Sequence, residues 1–195
     1  MKTLSEIENT FGNFMDGCRV QMLILRRRDG AVRSDNDFYK KIVTTNKEEF
    51  LKGTKLLLEM KEYCKNDKLR LYSCVNSRDI NKGIRELKRC QLEADYYDEV
   101  NKNDFYLRIK DRWISALMKP SSRKDNYFLL DCDTLNDDNI SEALDEIENL
   151  DVEIVHHYKT KSGFHVIVKP TNPIFVTKLS FITEVKKDSL LLLDY

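Results

Sequence analysis

The chain has 195 residues, 41% of them hydrophobic and 34% charged, with only 6 Gly and 3 Pro; this excludes a disordered chain and long irregular linkers and leaves room for a substantial core. Basic and acidic residues balance at 33 each, so a partner class has to be read from local charge and not from the total. Five cysteines (Cys18, Cys64, Cys74, Cys90, Cys132) without a C-x-x-C pair argue against a zinc ribbon or a disulfide framework. With no secretory h-region and no apolar run near the ~20 residues of a membrane span, they point to a cytoplasmic protein.

No repeat or Ser/Pro/Gly-rich linker divides the chain, so one domain is expected over residues 1–195, behind a polar N-terminal lead. "RVQMLILRRR" (19–28) reads as a strand ending in arginines, and "DGAVRSDND" as the loop after it. In 46–65, Phe50, Leu51, Leu56, Leu57, Leu58 and Met60 line one broad helical face. "KLRLYSCV" (68–75) alternates as a strand does. Residues 77–97 read as a helix, with Ser77 or Asp79 as its cap. Residues 105–119 read as a further helix, closed by Pro120. "NYFLLDCD" (126–133) is a buried strand, and 141–150 a helix capped by Ser141 or Asn139. "VEIVHHYKT" (152–160) and "FHVIVKP" (164–170) form a hairpin turning at Lys161, Ser162 and Gly163. "NPIFVTKLSFI" is read as holding a short helix, and "SLLLLDY" (189–195) as a last strand. The order predicts an α+β fold, a sheet with helices packed on one face.

Three features carry chemistry. Asp131 and Asp133 close an apolar strand, and alternation puts residues i and i+2 on one face. Two like charges that close need a cation, an exposed loop or a metal; the oxygen donors suit Mg²⁺ or Mn²⁺. The ordinary reading of the pair alone is a strand end followed by an acidic helix cap. Next, His165 opens a strand just after Gly163, where Ser162, Lys161 and turn amides suit phosphate. His165, Ile167 and Lys169 should share one face, and Phe164, Val166 and Val168 the other. His156 and His157, being adjacent, should face opposite sides. Finally, Asp188 precedes the last apolar run and Asp194 ends it. Either supplies a third carboxylate, although acids at strand ends are more often solubilising.

In this order, "FLLDCD", "SGFH" and "VKKDSLLLL" resemble the three motifs of the archaeo-eukaryotic primase superfamily, over about residues 68–195. The resemblance implies an RRM-like antiparallel or mixed sheet in a primase-polymerase-like core over 68–195, after a strand and helix module over 1–67. It implies a metal-dependent nucleotidyltransferase, a DNA primase or polymerase. Asp131, Asp133 and Asp188 would bind two divalent cations. Ser162 and His165, with Lys161, would contact the nucleotide triphosphate, and Arg78 in "VNSRDI" would lie near the nucleotide. Its implied partners are nucleoside triphosphates, a single-stranded nucleic-acid template and a helicase or other replication protein, in the host cytoplasm if viral or plasmid-borne. Asp188 is preferred over Asp194 as the third acid, and Lys186 and Lys187 ahead of it could support nucleotide or template phosphates. The sequence departs from the family in having no zinc-binding cysteine cluster and no GxxxxGK[ST] module.

The competing reading is a catalytically inactive primase-like domain that binds nucleic acid or a replication partner. Its basic contacts would come from Arg26, Arg27, Arg28, Lys119, Arg123 and Lys124. A rolling-circle nickase is disfavoured, because the adjacent His156 and His157 do not share a strand face.

Overall fold

The computed structural model describes residues 2–15, 20–27, 38–64, 69–97, 99–133, 137–160, 163–172 and 179–194. Helix α1 (Leu4–Phe11) opens the chain. There Thr3 Oγ1 accepts from Glu6 N and Glu6 accepts from Thr3 N, a capping box. Strands β1 (Gln21–Arg27) and β2 (Phe38–Thr44) pair, and α2 (Lys47–Tyr63) follows, capped by Asn46. After β3 (Leu69–Cys74) come α3 (Ile80–Tyr97), α4 (Glu99–Leu107) and α5 (Ile109–Met118). Next are β4 (Phe128–Cys132), α6 (Asp137–Glu148), β5 (Ile154–Lys159), β6 (Phe164–Val168), β7 (Ile182–Lys186) and β8 (Leu190–Asp194).

The α+β class expected from sequence is present. The described strands form two four-stranded antiparallel sheets, not one: β2-β1-β3-β8 and β5-β6-β4-β7. Nor are helices confined to one face. In β1 the alternate residues Leu23 and Leu25 pack toward Phe50 and Leu57 of α2. Met22 and Ile24 pack on the other side against Ile114 and Leu117 of α5. A strand covered on both faces reads as a continuous apolar run, and "MLIL" is one.

The second sheet has α6 on one face. Leu130, Cys132, Phe164, Val166 and Val168 meet Ile140, Ala143 and Ile147 there. Leu129 and Ile167, on its opposite face, join a central cluster with Leu23, Leu71, Leu191 and Leu193 of the first sheet and Ile7 and Phe11 of α1. The two sheets therefore share one core.

Several boundaries differ from the sequence reading. The lead is helical because Ile7 and Phe11, four residues apart, both bury completely. The expected helix over 105–119 breaks at Arg108, whose backbone leaves the helical region without a Gly or Pro to announce it. The helix after β4 starts at Asp137, ahead of the expected start at Ser141. Of the alternative caps for α3, Asp79 accepts from Lys82 N at 3.1 Å. Strands β2 and β7 have no counterpart in the sequence reading. The expected loop over 29–37, and most of the short helix expected within 172–182, lie outside the described residues.

Candidate active site

Register builds the site. In the second sheet His165 of β6 lies directly opposite Asp131 of β4, and Tyr158 of β5 lies opposite His165. On the other side Glu184 of β7 faces Asp131. Tyr158, His165, Asp131 and Glu184 thus form one row across four strands. It borders the shared core, because Leu129 and Ile167, one step along the same face, are buried in it.

The row is hydrogen-bonded end to end. Tyr158 Oη is 2.7 Å from His165 Nδ1, and His165 Nε2 is 3.0 Å from Asp131 Oδ1. Lys186 Nζ donates to Asp131 Oδ2 at 2.6 Å and lies 3.0 Å from Glu184 Oε2. Burial alone would raise the Asp131 carboxyl. The Lys186 hydrogen bond and the charges of His165 and Lys186 outweigh it and hold Asp131 below its ordinary value. Burial lowers His165, and Asp131 only partly offsets this. Burial disfavours the charged Lys186, yet the hydrogen bonds to Asp131 and Glu184 raise it. The Cys132 thiol is pushed up to about 12, by burial first and then by Asp131 and Asp133, so it stays protonated.

Gly163 has a steric reason to be glycine. A Cβ there would fall inside van der Waals contact with the Cys132 carbonyl oxygen and 3.1 Å from Asp133 Cα. The turn before β6 is thereby pressed against the end of β4. Asp133 lies one residue beyond that strand, exposed, with its N–H donated to the Phe181 carbonyl at 3.1 Å.

Asp188 is elsewhere. It sits in the β7–β8 connection, beyond Lys186, which faces Leu129. It is thus displaced toward the start of β4, where Asn76 bridges the carbonyls of Lys187 and Tyr127. Its carboxylate takes Arg78 Nη2 at 3.0 Å and Nη1 at 3.4 Å, with Arg123 Nε at 3.8 Å. The structure brings Arg78 and Asp188 together but does not bring either to Asp131. Asp194 is not a solubilising surface acid: it is 2% exposed, paired with Lys61 Nζ at 2.5 Å and accepting from Lys2 N at 2.6 Å. Lys161 and Ser162 lie outside the described residues.

No family model, curated protein or solved structure matches this chain. Its chemistry therefore has to be read from its own residues. Among the described residues no group of three or more His, Cys, Asp and Glu side chains is arranged to hold a metal ion. Two of the basic residues of the binding alternative are engaged within the protein. Lys119 is paired with Glu86, and Arg123 with Asp188, the Pro120 carbonyl and the Lys187 carbonyl. Arg28 and the side chain of Arg27 lie outside the described residues.

Sequence reasoning missed Tyr158 and Glu184, and took Lys186, with Lys187, for a support of nucleotide or template phosphates and not for a partner of Asp131. A signal for Glu184 and Lys186 was present in "TEVK" (183–186), a charged-apolar alternation. Tyr158 stands two residues after His156 in "HHYK", hence on its face. No helix among the described residues is long and apolar enough to cross a membrane.

Proposed function

We propose that the chain is a metal-dependent nucleotidyltransferase of primase or polymerase type, acting with Mg²⁺ or Mn²⁺ on nucleoside triphosphates and a single-stranded template. The observation that carries this reading is the direct register of Asp131 and His165. The acid of "FLLDCD" and the histidine of "SGFH", more than 30 residues apart, meet at 3.0 Å on neighbouring strands. A second feature supports the RRM-like part of the reading. The chain runs β4-α6-β5-β6-β7, and the sheet order is β7-β4-β6-β5. That is the arrangement of a split β-α-β sheet.

Asp131 and the exposed Asp133 offer the oxygen donors that a hard cation takes. These two carboxylates would hold one such cation. A bound divalent ion would supply charge stabilisation to a transferring phosphoryl group. Asp188 stays with Arg78 in this arrangement, so the second cation of a two-metal site lacks its expected acid. Lys186 holds Asp131 ionised in the meantime.

The same Lys186 contact favours the second reading, a catalytically inactive primase-like domain that binds nucleic acid or a replication partner. An ammonium already sits where a cation would neutralise Asp131. The two readings separate in a primer-extension and de novo priming assay with labelled nucleotides and Mn²⁺ or Mg²⁺. The first expects incorporation that Asp131→Ala abolishes without lowering secondary-structure content. Template binding with steep salt dependence and no incorporation would leave only the second.

A further inference from the structure

Two hydrogen bonds at His165 constrain its protons. Asp131, held ionised beside Lys186, can only accept, so Nε2 has to be the nitrogen that carries hydrogen. A neutral ring then has a bare Nδ1, which can only accept, and the group 2.7 Å from it is the Tyr158 hydroxyl. Tyr158 is the one partner in the row that can donate there. Packing holds its ring in place, since it is 5% exposed, edge-on to Phe11 at 4.8 Å and edge-on to His165 at 5.1 Å.

We propose that Tyr158 is a positioning residue: its hydroxyl donates to His165 Nδ1, fixes the Nε2–H tautomer, and thereby aims an N–H at Asp131 Oδ1 while Lys186 holds Oδ2. The Asp131 carboxylate is then clamped at both oxygens, and each oxygen keeps a lone pair for a cation. Both imidazole nitrogens are committed within the protein. His165 therefore acts through Asp131 and not on the nucleotide triphosphate, in contrast to the role that the primase resemblance implies. Hydrogen-bonded partners behind a ligating group commonly set its orientation and basicity.

The kinetic consequence rests on the nucleotidyltransferase reading; the tautomer does not, and the test uses both. In the full chain with ¹⁵N-labelled histidine, His165 should show a pyrrole-type Nε2 and a pyridine-type Nδ1. In Tyr158→Phe, which keeps the ring, the Nδ1 resonance should move to that of an unbonded nitrogen. An Nδ1–H tautomer in the wild type, or an Nδ1 resonance unmoved by the substitution, would overturn the proposal. Should the variant not fold, the wild-type tautomer decides alone. In the Mn²⁺ incorporation assay Tyr158→Phe should lower kcat about tenfold, the effect of one hydrogen bond, and raise the half-saturating Mn²⁺. The KM for nucleotide should not change. A raised nucleotide KM at unchanged kcat would instead place His165 on the triphosphate and overturn the role assigned here. If the wild type incorporates nothing, the proposed function falls while the resonances still decide the relay.

Discussion

Asp131 is partly buried and negative, and its neighbours make that tolerable. Lys186 and His165 hold its carboxyl low, and burial holds His165 and His156 low as well. For each of these groups the folded-state value lies below the unfolded one. Each contribution is therefore complete above the unfolded value and is lost as pH falls through the folded one. The histidines act first, below about 6.5, and Asp131 follows below about 3.9. Thermal melts should show Tm falling from about pH 7 to about pH 5, before any carboxylate of ordinary value titrates. A flat Tm over that interval would mean that the two imidazoles are not held neutral by the fold. Gly163 gives a second expectation at this scale. Gly163→Ala forces a methyl onto the Cys132–Asp133 backbone, which has no flexible side chain to yield, and should cost about 1–3 kcal/mol in denaturant titration. What local sequence revealed here was chemistry-bearing pairs in short motifs, Asp131 with Asp133 and Gly163 with His165. Tyr158 was not legible, and Lys186 was legible only as a phosphate support and not as the partner of Asp131, because what makes them part of the row is cross-strand register, and register belongs to the sheet.

Among the elements, the ones read correctly were those with strong period: β1, β3, β4, the β5–β6 hairpin, β8, and helices α2, α3 and α6. The failures share a cause. Strand β2 carries Lys40 and Lys41 on an edge, where one neighbour and half-burial dilute the apolar pattern. Strand β7 is likewise an edge, with Thr183 and Glu184 exposed. Helix α1 is 8 residues long, too short for periodicity to accumulate, and is marginal without tertiary contacts. Its signal was instead the cap, Thr3 followed by Glu6. Tertiary contact is what holds it: Phe11 is completely buried and meets Tyr158 and His156. Phe14 stacks on His156 from the same side. Phe11→Ala should therefore cost about 3–5 kcal/mol, a large-to-small change in a packed core. It should also loosen the ring of Tyr158, so amide exchange in β5 should rise together with that in α1. Faster exchange confined to α1 would mean that the helix is a peripheral addition and not part of the wall behind the row.

For the whole molecule the decisive feature is how the last two strands divide: β7 closes the second sheet and β8 the first, with Asp188 in the short connection between them. Asp188 grips Arg78, which follows β3 and is 3% exposed. Around them Asn76 donates to the Tyr127 and Lys187 carbonyls and accepts from Tyr127 N, and Ser77 Oγ bonds Asp125. This polar knot ties the ends of both sheets together. The sequence could not separate that role from a metal-binding one, because an acid before an apolar run looks the same in both. Asp188→Asn distinguishes them. A buried guanidinium that loses its counter-charge is destabilising, by about 2–3 kcal/mol here, toward the low end because Asp188 is one-fifth exposed and Arg123 stands by. Arg78→Met alone should cost a similar amount. The double variant should lose much less than the sum, since a neutral pair replaces an ion pair without leaving a buried charge. A double-mutant cycle in urea reads that coupling directly. If Asp188→Asn leaves stability unchanged and removes only metal-dependent incorporation, the acid belongs to the reaction, and the Arg78 contact gives way when a cation binds.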